Sequence, residues 1–293
     1  MKCDLHVHTV HSGMCTVPLA RMFCRESYTQ PNAAYGKLKR LGMDLVTITD
    51  HNSIGACEVL RSHPDFFLSE EVTCQMPGGR ELHIGVYDLN ERQHIEIHRR
   101  ASDIFSLVSY LREQNLFFSV NHVFSRLTGQ RDTADFDLFD RFFPAVEILN
   151  GAILPVANRN AELLARRMGK SGTGGSDAHT LAGVGSVYTE VPGARSKSEF
   201  FQGLRLGHSI VRGKHGGFFK LTADVFQICC EMMAERPWTR LTAPVLAALP
   251  GVLLLNYLAE THFACDLQRR LERAWMSPNS AVPVGAGTLP ESV

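Results

Sequence analysis

The sequence predicts an α/β protein in which parallel strands and crossover helices form a closed or nearly closed barrel, followed by a helical extension. Three observations support this prediction: short β-branched runs alternate with amphipathic stretches, about seven such repeats occur, and a glycine-rich segment at 213–217 ends the series. The candidate strands are 3–6, 45–49, 66–72, 81–86, 117–121, 145–149 and 171–174. The candidate helices between them are 31–41, 103–114, 157–168 and 198–206.

The chain is expected to divide into three parts. Residues 1–215 form the predicted barrel, and residues 216–276 form a helical extension with apolar spacing. Residues 277–293 are rich in Pro, Gly, Ser and Val without periodicity, and are predicted to be disordered. The most apolar segment, 243–259, contains two prolines, a glycine and an asparagine. We expect it to be a buried helix rather than a membrane span.

The composition is that of an ordinary globular protein with no bulk charge. The 293 residues are 44% hydrophobic and 20% charged, and the 30 Lys and Arg balance the 30 Asp and Glu. A neutral total gives no general attraction to nucleic acid or to an anionic membrane, so a processive nuclease is disfavoured. The eight cysteines show no C-x-x-C pair and no framework spacing, and the N-terminus lacks a signal-peptide pattern. A cytoplasmic location is therefore expected.

The first cluster of metal-binding side chains opens the chain, where residues 4–9 read DLHVHT. His6 and His8 alternate along a predicted strand, so both can bind one ion from the same face. Two histidines at this spacing also occur on ordinary polar strand faces. The flanking Asp4 and the hydroxyl groups that follow favour a metal site.

A second cluster follows the apolar run 45–48, where residues 49–52 read TDHN. His51 is predicted to be a ligand. Asp50 fits either a helix N-cap or turn, or a carboxylate that orients a histidine.

The third cluster offers a bridging carboxylate. Two cations a few ångströms apart repel each other unless an anion lies between them. Glu71 is predicted to be the carboxylate that bridges the two ions, and Glu70 is the competing candidate. His83 lies in the next predicted strand and is equally compatible with a ligand and with an ordinary strand histidine.

The last two clusters are a histidine and an Asp-x-His pair. His122 directly follows the apolar strand 117–121, and residues 174–179 read GGSDAH. The glycines allow a close backbone approach at a crowded site, and Asp177 and His179 can reach two ions at once.

Four further residues are candidates for contact with a substrate phosphate. Three of them are arginines, whose guanidinium groups match the geometry of phosphate oxygens. The four are Arg126, Arg131, Arg159 and, in the glycine-rich segment, His215. Most surface arginines and loop histidines have no such role, so the ordinary reading of each stays open.

The chain resembles the polymerase and histidinol phosphatase (PHP) family of metal-dependent phosphoesterases. The resemblance rests on the motifs above, with ITDH at 48–51 and VEILNG at 146–151. It spans about residues 1–215 and does not extend over the C-terminal helices. It implies a distorted (β/α)7 barrel with two or three divalent metal ions, commonly manganese, iron or zinc.

Carried over residue by residue, the resemblance implies three metal sites. The ligands would be His6, His8, Glu71 and Asp177 at the first; Glu71, His83 and His122 at the second; and His51 and His179, with a residue from the loop after His8, at the third.

The loop after His8 departs from the family pattern. Family members usually have Asp or His shortly after the Ser of the first motif, where residues 11–15 of this chain read HSGMC. Met14 is a poor ligand for hard divalent ions. The third site is therefore expected to be weak or empty, or to be completed by Cys15 or His11. In an empty site, the histidines at 51 and 179 could contact the phosphate or protonate the leaving group.

The resemblance implies hydrolysis of a phosphate ester through a metal-activated hydroxide, with His51, His179 and Asp50 as candidate catalytic residues. The expected substrates are phosphate monoesters or short phosphodiesters, such as nucleotides or short oligonucleotides. The alternatives are a histidinol-phosphate-type or sugar phosphate phosphatase, a more distant amidohydrolase, and a metal-binding module without catalysis. Complete ligand sets at the first two sites favour an enzyme. We expect no membrane association and no stable nucleic-acid complex, and a homo-oligomer is compatible with the sequence.

Overall fold

The computed structural model describes residues 1–16 and 20–276 and confirms the α/β class. The predicted tail at 277–293 lies outside the described residues. The strands are β1 (Lys2–Cys3), β2 (Ser69–Gln75), β3 (Glu81–Tyr87), β4 (Phe117–Val120), β5 (Ala145–Asn150), β6 (Ser171–Gly175), β7 (Val187–Glu190) and β8 (Ile210–Gly213). The α-helices are α1 (Pro31–Arg40), α2 (Cys57–Leu60), α3 (Glu91–Arg100), α4 (Ile104–Glu113), α5 (Thr133–Phe142), α6 (Pro155–Met168), α7 (Lys197–Arg205), α8 (Phe218–Glu235) and α9 (Leu249–Met276). Short 3-10 helices occur at Val10–Ser12, Ala20–Met22 and Arg126–Thr128, and a longer one at Pro237–Ala248.

The strands form two sheets that do not close into one barrel. The larger sheet has the order β2-β3-β4-β5-β6, and the smaller has the order β1-β7-β8. An isolated parallel bridge joins Val7, which follows β1, to Ala178, which follows β6. A second joins Val46 to Phe66, outside both sheets. The (β/α)7 barrel is therefore not confirmed, although the sheet edges approach one another where a barrel would close.

The predicted strand at 45–49 does not form a regular ladder. Threonine hydroxyl groups replace backbone groups in some of the hydrogen bonds that a regular strand pair would make. Val7 N donates to Thr49 Oγ1 at 2.9 Å, and Thr47 Oγ1 donates to Phe67 O at 2.8 Å. The segment is extended and buried, but side chains make part of its connection to its neighbours.

The prediction of parallel strands throughout is wrong at β2, β3 and β4, which pair antiparallel. Among the described strands of this sheet, only β4-β5 and β5-β6 are parallel. The turn between β2 and β3 contains Gly78 and Gly79, with φ of 82° and 76°. Positive φ at both glycines permits a tight reversal, and a tight reversal places the two strands antiparallel.

All four predicted helices are found, as α1, α4, α6 and α7. The sequence prediction missed α3 and α5, which both begin with a capping box. Asn90 and Gln93 cap α3, and Asp132 and Asp135 cap α5. Reciprocal caps of this kind satisfy the free N–H groups at a helix start, and they could have been recognised from the sequence.

The C-terminal helices pack against the remainder of the fold. Phe263, Leu267 and Leu271 of α9 are buried in the main hydrophobic core. Asn160 Nδ2 of α6 donates to Ala264 O at 2.9 Å. The second half of α9 is thus anchored, and its first half and α8 lie beside the carboxyl ends of the strands.

The prediction of a buried helix at 243–259 is wrong, because most of this segment is exposed. Val245 is 68% exposed and Leu255 is 69% exposed. Among the described residues, Pro237–Met276 is long and apolar enough to cross a membrane, with a mean hydropathy of 1.7 in its most apolar window and 6% of that window buried. Length and composition in a single helix are weak evidence for a membrane span, since other helices meet the same criteria.

Candidate metal centre

The eight predicted metal-binding residues come together at one rim of the larger sheet. Glu71 and His83 lie within β2 and β3, and His122 follows β4. The remaining residues lie after β1, after the 45–49 segment and after β6; they are His6, His8, His51, Asp177 and His179. Strand ends that meet at one edge therefore bring residues from distant parts of the chain together.

Glu71 lies at the middle of this cluster and is 1% exposed. Its Oε1 is 3.1 Å from His122 Nε2 and 3.3 Å from His6 Nε2. Its Oε2 is 3.1 Å from His51 Nδ1 and 3.6 Å from His83 Nδ1. One carboxylate thus faces imidazoles on both of its oxygens, which is the arrangement that a bridging ligand requires.

His6, His8 and Asp177 form a tight group beside Glu71. Asp177 Oδ1 is 3.2 Å from His8 Nε2 and 3.5 Å from His6 Nε2. All three residues are buried, with 5% exposure or less. Two imidazoles and two carboxylates in this arrangement can hold a divalent ion.

The residues present fit a divalent metal because their ligand atoms have no other partner. The buried atoms of these residues that make no hydrogen bond within the described part of the chain are His6 Nε2, His8 Nε2, Glu71 Oε2, His83 Nδ1 and His122 Nδ1. Leaving a buried polar atom unpaired costs about 1–3 kcal/mol. Several such atoms facing one another are explained by a cation that binds them all.

The electrostatics of the centre also favour positive charge. Burial opposes ionisation of Glu71, but the imidazoles of His6 and His83 hold the pKa of its carboxyl well below the usual value. Burial likewise opposes charge on Asp177, and the same His6 ring keeps the Asp177 pKa well below its usual value. Burial, with His179 and His51 nearby, lowers the pKa of His8 to about 3. Anionic carboxylates beside a neutral imidazole are the protonation states that metal binding needs.

Neighbouring acceptors fix the orientation of the two N-terminal histidines. His6 Nδ1 donates to Glu147 Oε1 at 2.8 Å. Ser12 Oγ lies 3.0 Å from His8 Nδ1 and donates to Asp50 Oδ1 at 2.7 Å, so it accepts from His8. When either ring is neutral, as metal binding requires, its proton therefore lies on Nδ1 and the Nε2 lone pair is directed at the centre.

Asp50 holds this part of the centre together without contacting the ligand atoms. Its carboxylate accepts from Thr9 N at 2.5 Å, from Thr9 Oγ1 at 2.7 Å and from Ser12 Oγ. The sequence left Asp50 between a cap and an orienting carboxylate, and also named it as catalytic. Its contacts assign it the orienting role, through Ser12 and His8.

Glu147 and Asn150 are functional residues that the sequence analysis missed. Glu147 Oε2 accepts from His122 N and from Asn150 Nδ2, each at 3.0 Å. Asn150 Nδ2 also donates to Asp177 Oδ2 at 3.0 Å. Strand β5 thus connects three residues of the centre, and the VEILNG motif was the signal that could have identified both.

Glu26 is the second omission, and it fills the position that the loop after His8 leaves open. Glu26 Oε1 is 3.4 Å from His51 Nε2 and 3.6 Å from His179 Nε2. Burial opposes charge on Glu26, but hydrogen bonds from His179 and His51 hold its pKa well below the usual value. The alternatives for this role were Cys15 and His11; the backbone N–H of Cys15 donates to Cys24 O. A lone glutamate in a loop carries no local pattern, so nothing in the sequence pointed to it.

Removing the Glu26 carboxylate is expected to empty the third site and leave the other two. Glu26→Gln should lose about one metal equivalent per chain and reduce kcat by about 10- to 100-fold, because one ligand at the rim is lost. Metal analysis of the purified variant, with steady-state kinetics, measures both quantities. Cys15→Ser is the matched control and should keep the wild-type metal content. Loss of the metal from Cys15→Ser instead of Glu26→Gln would contradict this assignment.

The backbone at the centre adopts conformations that side chains seldom allow. Asp177 has φ of 48° and His122 has φ of 31°. Such positions cost about 1–3 kcal/mol each and persist where the surrounding structure enforces them. A Cβ added to Gly175 would lie 2.3 Å from His6 N, so glycine is required where β6 passes the end of β1.

The predicted phosphate-binding residues are not brought into this cluster. Arg131 is 2% exposed, and its guanidinium donates to Glu81 O at 2.7 Å and to Thr128 Oγ1. These contacts attach the loop before α5 to β3, so Arg131 has a structural role. Arg159 and His215 line a separate cleft. Arg126 donates its backbone N–H to Glu260.

An apolar pocket of about 220 Å³ opens beside the metal centre. Asp177 and His179 form the end that it shares with the centre. Its other walls come from the 125–157 region, α8 and α9; they are Ser125, Leu127, Ala152, Ile153, Leu154, Ala157, Leu221, Asp224, Val225, Ile228, Asn256, Tyr257 and Glu260. The C-terminal extension therefore contributes to the site.

The fold and the site define an α/β protein with a cluster of candidate metal ligands at a sheet edge. Residues 155–209 match the family model described as PHP-associated. No curated protein matches the sequence significantly. The match to this family model is confined to that segment, and it agrees with the resemblance to the PHP family noted in the sequence.

Three solved structures are similar to this chain. PsfC from Pseudomonas syringae has 18% identity and a TM-score of 0.56, covering 80% of this chain and 98% of its own. A candidate metal-dependent phosphoesterase from Bifidobacterium adolescentis has 14% identity and a TM-score of 0.46, covering 68% and 94%. The lesion-specific endonuclease PfuEndoQ from Pyrococcus furiosus has 15% identity and a TM-score of 0.48, covering 72% of this chain and 57% of its own. At these identities the similarity to PsfC concerns the fold alone.

Proposed function

We propose that this chain is a metal-dependent phosphoesterase that hydrolyses the phosphate monoester of a small, largely apolar organic group. The observation that carries the proposal is the convergence of unpartnered imidazole and carboxylate atoms around Glu71, beside an apolar pocket. The match of residues 155–209 to a PHP-associated family model agrees with this chemistry.

Divalent ions at this centre would generate a nucleophile from water at neutral pH and neutralise charge on the phosphoryl oxygens. The protein's own residues provide the orientation. Glu147 and Ser12 hold the rings of His6 and His8 in one tautomer, and Asn150 holds Asp177. A phosphate at the centre would then meet a fixed set of ligands, and prior positioning of this kind lowers the barrier to in-line attack.

The pocket supports one phosphate and an apolar group. Its walls, within the described part of the chain, include no Lys or Arg, so a second phosphate would have no cationic partner there. Asp224 accepts from Thr180 Oγ1 at 2.9 Å and from Lys220 Nζ at 2.6 Å, and Glu260 accepts from Ser125 Oγ at 3.1 Å. Both carboxylates already accept hydrogen bonds from these side chains, so neither is positioned specifically for an amino group of a substrate.

The size of the pocket indicates how large a group it can hold. A volume of about 220 Å³ corresponds to roughly seven water molecules at their liquid volume. This suits a single ring or a short branched chain, whereas an oligonucleotide would extend well beyond it. A small monoester is therefore favoured over a short oligonucleotide.

A hydrolysis screen with metal analysis tests the proposal. The purified protein, supplemented with manganese or zinc, would be offered phenyl phosphate, glycerol phosphate, histidinol phosphate, a nucleoside monophosphate and a short oligonucleotide. We expect two or three metal equivalents and the highest kcat/KM with phenyl phosphate. Stoichiometric metal without any hydrolysis, or preferred cleavage of the oligonucleotide, would contradict the proposal.

A larger side chain in the pocket is expected to discriminate between esters. Val225→Phe places a larger side chain in the pocket wall that α8 provides, so the pocket becomes narrower. It should lower kcat/KM for phenyl phosphate by about tenfold, because a size difference of a few methylene groups in an apolar pocket changes kcat/KM by about that factor. With methyl phosphate, which does not fill the pocket, the change should be less than about threefold. Phe226→Leu, on the exposed face of α8, is the control. Equal losses on both esters would show that Val225 does not contact the organic group.

A further inference from the structure

A second group of metal-binding side chains lies away from the centre, on the other face of β2. Glu70 precedes Glu71, and consecutive side chains of a strand point to opposite faces. The carboxylate of Glu70 is completely buried under α3. His94 and His98, one helical turn apart on α3, face it.

The three side chains meet at short distances. Glu70 Oε2 is 2.9 Å from His94 Nδ1 and 2.8 Å from His98 Nε2. All three offered ligand atoms lie within 4.8 Å of one another. The imidazole rings are 4.4 Å apart between centroids.

Hydrogen bonds alone leave this buried carboxylate incompletely satisfied. Both imidazoles share Glu70 Oε2, whereas Oε1 is buried and has no hydrogen-bond partner within the described residues. An ionised carboxylate out of water needs partners for both of its oxygens, or a cation. A divalent ion would supply the charge that the site lacks.

We propose that Glu70, His94 and His98 form a separate zinc site that links α3 to β2. Two histidines four residues apart on a helix, with one carboxylate, are a ligand set that zinc accepts, with a fourth position left for water. His94 is 23% exposed and His98 is 30% exposed, so an ion can enter from solvent.

Zinc binding requires a change of tautomer in both rings. His94 would bind through Nδ1 and His98 through Nε2, because these atoms face Glu70. Each bound ring then carries its proton on the other nitrogen. The ion would fasten the strand that also carries Glu71.

Zinc counting tests the site without reference to hydrolysis. Wild-type protein and the double variant His94→Gln, His98→Gln would be saturated with zinc, dialysed and analysed for metal. Ions at the Glu71 centre are common to both proteins, so the difference isolates the second site. We expect the double variant to bind one zinc equivalent fewer, whereas His208→Gln, on an exposed loop, should match the wild type. Equal zinc contents in all three would overturn the proposal.

Thermal unfolding provides a second measurement that does not depend on the double variant. Glu70→Gln keeps the volume of the side chain and removes the charge. Zinc at about 100 times its Kd should raise the Tm of the wild type by about 5 °C more than that of Glu70→Gln. The same zinc-dependent shift in both proteins would contradict the site, whatever substrate the enzyme hydrolyses.

Discussion

Replacing Glu71 with glutamine is expected to remove metal from the centre and to lower kcat/KM by at least about a thousandfold. The two carboxylate oxygens face His122 and His6 on one side and His51 and His83 on the other. Glutamine keeps the shape but removes the charge that holds two cations close together. Metal catalysis contributes several kcal/mol, and each 1.36 kcal/mol is a factor of about ten in rate.

Metal analysis and kinetics on the purified Glu71→Gln protein measure this effect. Glu58→Gln is the matched control, since Glu58 is 75% exposed and lies away from the centre. Wild-type metal content and activity in Glu71→Gln would show that Glu71 does not bridge the ions. A folded variant without metal or turnover would support the ligand assignment.

Gly175→Ala is expected to destabilise the fold by about 3 kcal/mol or more and to disrupt the metal centre with it. The added Cβ would lie 2.3 Å from His6 N and 2.8 Å from His6 Cα, and these backbone atoms cannot move without displacing the ligand. Overpacking in a rigid region costs about 1–3 kcal/mol, and more where backbone must shift.

Chemical denaturation of the metal-free protein separates stability from metal binding in this variant. Gly217→Ala serves as the control, because a Cβ there meets nothing within 4 Å and φ is −171°. The control should unfold at the wild-type denaturant concentration. An unchanged midpoint in Gly175→Ala would mean that β6 and the end of β1 separate easily.

Much of the centre could be predicted because its residues carry local patterns. Alternation identified His6 and His8, and the spacing after two glycines identified Asp177 and His179. The structure brings these residues together, and their role as ligands stays a prediction. Glu26 could not be found in this way, since its role arises only when a loop folds back onto two distant histidines.

The fold shows a similar division between local and long-range information. The class and four helices follow from periodicity, which is a local property. The predicted closed barrel is not confirmed. Gly78 and Gly79 reverse the chain into an antiparallel hairpin, and Thr49 accepts a hydrogen bond through its side chain instead of its backbone. The direction and pairing of these segments depend on which parts of the chain meet in the fold, and the periodicity of a segment does not determine this.

The walls of the pocket and the ligands of the centre come from different stretches of the chain. Along the part of the chain that the structure describes, the ligand set ends at His179, whereas α8 and α9 contribute Leu221, Val225 and Tyr257 to the pocket. Under the proposed function, substitutions on these two helices would alter which ester is accepted and leave the metal-binding residues unchanged. Among related chains, the histidines and carboxylates should identify the chemistry, and the terminal helices should distinguish the metabolic tasks.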